Sequence, residues 1–323
     1  MNPLRASLSA LLLALSAVAP TIAAEAPFPS RPVRIVVGFT PGTTTDATAR
    51  MLGPRLADRL GQPVVIENRE GSNSGIANGI VGRATPDGHT LLIGTLSHVV
   101  SPLLYKDLPF DPRDFAPVSL LVLAQNVMAV NPKLEATSIK ELIVLARSRP
   151  GQLRYASSGR GSSAFLTVEL LKSMAGVDVQ EIPYKSSGQA VTDFISGEVA
   201  IYPPSMVAAL PLMRAGRIRP LAVTGAKRSP LAPELPTIGE TLPGYDAATG
   251  VYGIMVPVKT PKPVIDRLHR EIAAVVQGDD FRARMQALGV DTLGTTPEEY
   301  AAFLRESGAK WKALFERIGV GRL

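Results

Sequence analysis

The chain has 323 residues, 46% of them hydrophobic and 5% aromatic, with 34 basic against 28 acidic side chains and a formal net charge of +6 at pH 7. That length exceeds one ordinary core and suits two α/β lobes, while the apolar share excludes a disordered chain. The absence of cysteine excludes disulfide staples, thiol catalysis and thiolate metal sites together; the basic excess never forms a run, which argues against nucleic acid as a partner, and the few aromatics argue against stacking on bases or sugars.

The first stretch reads as a targeting segment. Arg5 precedes an apolar run from Leu8 to Ile22, and Thr21-Ile22-Ala23-Ala24 places small residues where a signal peptidase cuts. The run is too short for a membrane span, so residues 1–24 read as a cleaved secretory signal, cut after Ala23 or Ala24. Cleavage removes Arg5 and takes the formal charge from +6 to +5. A mature protein that is soluble outside the cytoplasm follows as the expectation.

The next stretch, Val33 to Arg50, is the one that the rest of the chain is arranged around. Val33-Arg34-Ile35-Val36-Val37 reads as a buried strand, and the loop Phe39-Thr40-Pro41-Gly42-Thr43-Thr44-Thr45 follows it. A helix then starts near Asp46, with Ala49, Leu52, Leu56 and Leu60 on one face and Pro54 expected to kink or shorten it. Thr43-x-x-Asp46 has the form of a capping box, which aims the first-turn amides into the loop. Strand, small-residue loop and helix N-terminus together make an anion site from main-chain N–H groups and the helix dipole.

A strand over Val64–Glu67, a helix from Ser74 to about Ala84, a Pro86-Asp87-Gly88 turn and a strand over Thr90–Gly94 complete a β-α-β-α-β pattern. Such a pattern predicts a mostly parallel sheet with ligands at the C-terminal ends of its strands, where Ser97 and His98 fall. Ser119 to Val130 is extended and apolar over an unusual length, and reads as a crossing into a second lobe. That lobe repeats the anion device: strand Leu153–Ala156, loop Ser157-Ser158-Gly159-Arg160-Gly161-Ser162, then a helix from Ser163 to Ala175 with Gly176 as C-cap. Further elements follow as strand Val177–Ile182, loop Tyr184-Lys185-Ser186-Ser187, helix Gly188–Ser196, strand Glu198–Tyr202, helix Ser205–Ala215 and strand Ile218–Thr224. Ala247 to Val256 reads as the return crossing. The remainder is helical, over Lys262–Gln277, Asp279–Leu288 and from Thr296 onward, the last with Thr as N-cap, Pro at N1 and Glu at N3.

The expected organisation is therefore a discontinuous first lobe, residues 25–124 and 248–323, holding a second lobe, residues 125–247. Two small-residue loops on two lobes point to a cleft that grips one small acidic molecule. Asp46 reads foremost as a first-turn carboxylate serving its own helix. The three histidines, His89, His98 and His269, have no metal-ligand spacing, so neither a metal nor a cofactor is expected. Serines near strand ends would also suit a secreted Ser-His-Asp hydrolase, but the elbow G-x-S-x-G is absent at Gly159-Arg160-Gly161-Ser162-Ser163, and no enzyme is expected.

Several stretches carry a family resemblance in order and spacing. They are Arg31-Pro32-Val33-Arg34-Ile35-Val36-Val37 with Pro41-Gly42 and Asp46, Glu67-Asn68-Arg69, Pro86-Asp87-Gly88-His89-Thr90-Leu91-Leu92 and Pro109-Phe110-Asp111-Pro112. Tyr155-Ala156-Ser157-Ser158-Gly159, Pro183-Tyr184-Lys185, Leu221-Ala222-Val223-Thr224 and Pro243-Gly244-Tyr245 continue the series. Across essentially the whole mature chain the sequence resembles the periplasmic solute receptors of tripartite tricarboxylate transporters, the Bug-type receptors. The resemblance implies a type II periplasmic-binding-protein fold, two α/β lobes joined by two crossing strands, in a monomer that closes like a flytrap. It also implies a small carboxylate ligand and membrane transporter subunits as partners; a sensor kinase would be served by the same binding site.

Carried over by position, the resemblance assigns the ligand to Phe39, Thr40, Pro41, Gly42, Thr43, Thr44 and Asp46 of the first loop, with Ser97 and His98 beside it. It assigns Ser157, Ser158, Gly159, Gly161, Ser162 and Ser163 to the facing loop, with Tyr184, Lys185, Ser186 and Ser205 on the same lobe. Four positions depart from the family pattern. Thr43 replaces a usual second glycine, Phe165 stands where histidine is common, Ser186 replaces a glycine, and Pro203-Pro204-Ser205 falls where an acidic residue often ends the strand. The last departure removes a partner for an amine-bearing ligand.

Overall fold

The computed structural model describes residues 28–184, 187–247 and 249–322. The expected signal segment up to Ala23 or Ala24, and Lys185 and Ser186, lie outside the described residues. The fold class is the expected one, α/β with two separate sheets. One sheet holds β1 (Val33–Val37), β2 (Val64–Asn68), β3 (Thr90–Gly94), β4 (Phe115–Ala124), β10 (Gly250–Pro257) and β11 (Val290–Thr292), in the order β11-β4-β10-β3-β1-β2. The other holds β5 (Val127–Val130), β6 (Arg154–Ser157), β7 (Gln180–Pro183), β8 (Ile201–Tyr202) and β9 (Arg219–Val223), in the order β7-β6-β8-β5-β9. β1 pairs parallel with β2 and β3, and β6 pairs parallel with β7 and β8, so each sheet sends several strand C-termini to one edge.

Helices α1 (Thr44–Leu60), α2 (Gly75–Gly82) and α3 (Ser97–Leu104) follow β1, β2 and β3. In the second half α4 (Ile139–Ser148), α5 (Ser163–Ala175), α6 (Ser187–Ser196) and α7 (Met206–Arg214) alternate with β5 to β9. The chain closes with α8 (Lys262–Val276), α9 (Asp279–Ala287) and α10 (Pro297–Arg317). Helix ends obey local chemistry. Gly61 and Gly176 end α1 and α5 at φ values of 70° and 62°, and Thr296 with Glu299 forms a full capping box at α10. Of the two effects expected of Pro54, a kink or a shorter helix, the shortening does not occur: α1 continues to Leu60. Pro54 lies on the exposed face, where water can serve the carbonyl that its missing N–H leaves free.

The long extended run read as a single crossing is two strands. β4 ends at Ala124 in the first sheet, Gln125 and Asn126 intervene, and β5 begins at Val127 in the second. The return path is laced to it. The Asn126 N–H donates to Thr224 Oγ1 at 3.0 Å, the Thr224 N–H donates to the Asn126 carbonyl at 3.0 Å, and the Ala247 N–H donates to the Thr224 carbonyl at 2.9 Å. Gly250 then pairs with Ala124. The two crossings thus share one short hydrogen-bonded neck.

Apolar packing is not confined to either sheet. One buried cluster joins Val36 and Leu92 of the first sheet to Tyr155 of the second, Leu166 of α5, and Trp311 and Phe315 of α10. Phe165, at the position where the resemblance implies histidine, is buried with its ring 6.4 Å from that of Phe315. Its role is apolar packing of α5 against α10. At the centre of the first sheet Gly94 and Gly253 face each other across β3 and β10, and the Tyr300 ring of α10 occupies the slot they leave.

This slot yields a test. A Cβ on Gly253 would stand 2.5 Å from Tyr300 Cζ, and one on Gly94 would stand 2.8 Å from Met255 Sδ. The Tyr300 hydroxyl is buried with no hydrogen-bond partner among the described residues. Gly253→Ala should therefore lower stability by about 1–3 kcal/mol through overpacking. Tyr300→Phe should raise it by about 1 kcal/mol, because an unsatisfied buried hydroxyl is removed. Urea denaturation of the two variants checks both signs.

Candidate functional site

The C-terminal edges of the two sheets face one another across a cavity of about 460 Å³. The site is built from helix starts. Thr44 and Thr45 open α1, Ser97 opens α3, Ser163 and Ala164 open α5, Val207 and Ala208 lie in the first turn of α7, and all of them line the cavity. First-turn N–H groups have no acceptor inside their own helix, and the macrodipole adds partial positive charge at the same place. The caps hold these turns open toward the cavity. Thr43, Ser162 and Ser205 side chains accept from the N–H groups of Asp46, Phe165 and Ala208 at 3.4, 3.3 and 3.4 Å. None of the described lining residues is an aspartate, glutamate, lysine, arginine or histidine.

The first loop is shaped by Asp46. The expected capping box is half formed: Thr43 caps the Asp46 N–H, but the Asp46 carboxylate accepts from the Gly42 N–H at 3.0 Å and not from that of Thr43. Gly42 at φ +85° turns its N–H inward, a conformation that glycine adopts readily. Asp46 also accepts from Arg50 Nε at 2.9 Å and from Asn68 Nδ2 at 2.8 Å. Burial pushes this carboxyl up, but the hydrogen bonds from Arg50, Gly42 and Asn68 outweigh it and hold it below the ordinary carboxylate range. Asp46 is thus a buried anchor of the loop and does not line the cavity.

Of the residues singled out from the sequence, Phe39, Gly42, Thr43, Thr44 and Ser97 line the cavity from the first sheet's side, and Ser158, Gly161, Ser162, Ser163 and Ser205 from the second. Others stand elsewhere. Thr40 and Pro41 form an exposed loop tip. Ser157 is fully buried beneath its loop, donating to Glu181 Oε1 at 2.5 Å and accepting the Gly159 N–H at 2.9 Å, so Ser157 and Gly159 shape the loop without bordering the cavity. Tyr184 is half-buried and off the wall.

His98 is a correction. Its backbone neighbour Ser97 reaches the cavity, but the imidazole points into the core, 5.6 Å from the Phe110 ring and 4.8 Å from the Phe115 ring. His98 Nδ1 is hydrogen-bonded to Asn78 Oδ1 at 3.0 Å, and Asn78 Nδ2 donates to the Ser74 carbonyl at 2.7 Å. The residue supports a cavity loop from behind. Position past a strand end was visible in the sequence; the direction of the side chain at a helix start was not.

Sequence reasoning missed much of the wall. Asn126 and Thr249, on the neck between the sheets, line the cavity, and Asn126 Nδ2 donates to Ser163 Oγ at 2.7 Å and to the Pro203 carbonyl at 3.1 Å. Ser163 Oγ in turn shares a 2.5 Å hydrogen bond with Thr249 Oγ1. Tyr252 of β10 lines the cavity with its hydroxyl bonded by the Thr44 and Thr45 side chains; burial pushes its phenol up and those two bonds pull it down. Tyr202, Pro203, Pro204, Leu96 and Leu166 add an apolar wall, and Asn73 and Thr95 add polar groups. In the sequence Pro203 and Pro204 stand out only as a departure from the family pattern; no motif flags the others, which sit in stretches that read as ordinary strand, turn or helix.

A family profile described as Tripartite tricarboxylate transporter family receptor matches residues 48–320. Among solved structures, Rpa4515 of R. palustris with adipate is 36% identical, covering 92% of this chain and 100% of that one, with a TM-score of 0.84. The periplasmic binding protein BugD is 31% identical over 92% of this chain and 100% of its own, with a TM-score of 0.81. MatC of Rhodopseudomonas palustris with bound malate is 29% identical over 89% and 99%, with a TM-score of 0.78.

The buried imidazole behind the cavity has a measurable signature. Burial lowers the His98 pKa from 6.5 to about 4, against weaker upward pulls from the Pro112 carbonyl and Asp111. Between those two values the unfolded chain takes up a proton that the folded chain refuses. The contribution of His98 is therefore complete above pH 6.5 and falls away as pH drops toward about 4, by up to about 3 kcal/mol. His98→Gln should be less stable than wild type at pH 7 but lose less stability on acidification. Unfolding curves at pH 7, 6, 5 and 4 that run parallel for the two proteins would rule out a desolvated neutral histidine.

Proposed function

The chain belongs to the tripartite tricarboxylate transporter receptor family, and we propose that it is a periplasmic receptor that closes on a small carboxylate and delivers it to a tripartite membrane transporter. One observation carries this reading: helix N-termini from both sheets converge on a single cavity with no charged side chain among its described lining residues. An anion there is neutralised by main-chain N–H groups and helix dipoles, and a cation finds no carboxylate to pair with. The volume of about 460 Å³ falls in the range of small-molecule sites.

The wall also bears on which carboxylate. Pro203 and Pro204 stand where an ammonium group would need an acidic partner, and with Tyr202, Leu96 and Leu166 they offer apolar surface instead. The reading favours an organic acid with a short carbon skeleton over an amino acid. Relatives solved with adipate and malate are consistent with that class. The expected signal segment over residues 1–24 fits export to the periplasm.

Closure follows from where the donors sit. α1 and α3 belong to the first sheet, α5 and α7 to the second, and the neck at Asn126, Thr224 and Ala247 joins the two halves. A ligand that contacts both sets of helix starts stabilises the shut arrangement by the difference between two-sided and one-sided contact. The shut receptor then presents a surface that the transporter can distinguish from the open one.

The test uses charge at the caps. Aspartate caps helices as well as serine or threonine does, so Thr43→Asp and Ser162→Asp should fold with thermal midpoints near that of wild type. Each places a carboxylate at the cavity wall, and carboxylate affinity should fall at least roughly tenfold. In a thermal-shift screen of organic acids, wild type should gain about 2.7 kcal/mol with an acid at a hundred times its Kd, and both variants should lose the shift. Unchanged acid binding in the two variants, or a gain for amines in wild type, would sink the carboxylate assignment.

A further inference from the structure

The loop between β2 and α2 reaches the cavity by a strained backbone path. Three consecutive non-glycine residues, Ser72, Asn73 and Ser74, hold φ values of 49°, 49° and 73°. Such left-handed conformations cost an L residue roughly 1 kcal/mol or more, and asparagine tolerates them better than most. The path is braced from behind. Ser74 is packed against Gly38, where no Cβ could fit, and its carbonyl accepts from Asn78, which His98 holds. Those contacts fix the backbone and leave the side chain of Asn73 unexplained.

Asn73 lines the cavity, and its Nδ2 is buried with no hydrogen-bond partner among the described residues. Nδ2 would lie 3.5 Å from a Cβ on Gly161, a residue of the facing loop, so it sits at the seam where the two halves meet. A buried amide donor without an acceptor costs roughly 1–3 kcal/mol. Its counterpart Asn126 is in the opposite condition, with its nitrogen committed to Ser163 and Pro203. Asn73 Nδ2 is a pure donor left over on the wall of a cavity rich in first-turn N–H groups.

We infer that Asn73 is a specificity-determining residue: with the cleft shut, its Nδ2–H donates to an acceptor oxygen of the bound organic acid, so that ligands lacking an oxygen at that place are disfavoured. This rests on the receptor reading given above and adds to it a side chain that neither helix start supplies. A hydrogen bond from an amide to an ionised oxygen is stronger than a neutral one, and it satisfies the orphaned donor at the same moment. The position at the seam makes the contact depend on both halves being in place. The left-handed backbone is what aims the carboxamide there, a strain of the kind that binding sites retain.

Isothermal titration on the full mature chain tests the assignment, using adipate, malate, citrate and benzoate as probes. Asn73→Gly accepts φ 49° without strain, so its ligand-free thermal midpoint should equal or exceed that of wild type. Its affinity for whichever acid wild type binds should nevertheless fall roughly tenfold to a hundredfold. Asn73→Leu, which keeps the volume and removes the donor, should lose affinity to a similar degree. Unchanged affinity in Asn73→Gly overturns the inference. So does a parallel loss of affinity and of ligand-free midpoint in that variant, since the side chain would then be holding the fold. A wild-type protein that takes up none of the four acids fails the receptor reading itself, a result distinct from either.

Discussion

The constraint on which the site depends is electrostatic: several helices begin at one place, and no described lining residue brings a formal charge to meet their dipoles. α1, α3, α5 and α7 present first turns to the same space. Bringing like ends of dipoles together is unfavourable unless something negative or strongly hydrated lies between them. The protein tolerates the convergence because side-chain caps satisfy one donor each at α1, α5 and α7, and the remaining N–H groups face a cavity open to water or ligand. An anion in that space relieves the repulsion of every helix start at once. Main-chain donors also avoid the desolvation and ordering that the long side chains of arginine and lysine would require for the same work.

A second constraint connects the cavity to the neck. Asn126 lies on the first crossing, Thr249 near the second, and Ser163 at the start of α5, and one hydrogen-bonded chain runs through all three. Tyr252, further along the return strand, holds the hydroxyls of Thr44 and Thr45 at the start of α1. The first turns of α1 and α5 are therefore tied to the strands that join the two sheets. Displacement of either turn is felt at the neck, which gives bending a physical link to occupancy of the site. The shared apolar cluster around Phe165 and Phe315 adds a contact between halves that is independent of any ligand.

Polar residues behind the cavity matter as much as those on it. Asp46 gathers the Gly42 N–H, Arg50 and Asn68, and Ser157 joins Glu181 to the Gly159 N–H. His98 and Asn78 brace the loop that carries Asn73 and Ser74. These groups are buried and hydrogen-bonded, so they fix loop shape at low conformational freedom. Several of them stand beside ligand-facing residues in sequence and are easily mistaken for such residues.

By itself the sequence determined the class of the fold and placed the two small-residue loops at helix starts. Apolar runs of strand length, helical periodicity and the caps at Thr43, Gly176 and Thr296 are local features, and local chemistry decides them. It also located the change from one sheet to the other, because the chain near Asn126 is too long and apolar for a single strand. What it could not decide was direction. Whether His98 turns to the core, whether Asp46 caps its own helix or reaches back to Gly42, and whether Ser157 faces the cavity depend on neighbours 12 or more residues away or on a single backbone torsion. Pro54 continued its helix for a comparable reason, since solvent exposure is a property of the folded surface. The apolar wall, the neck hydrogen bonds and the unpartnered nitrogen of Asn73 come from tertiary structure alone: they arise where segments distant in sequence meet, and no one segment carries their signature.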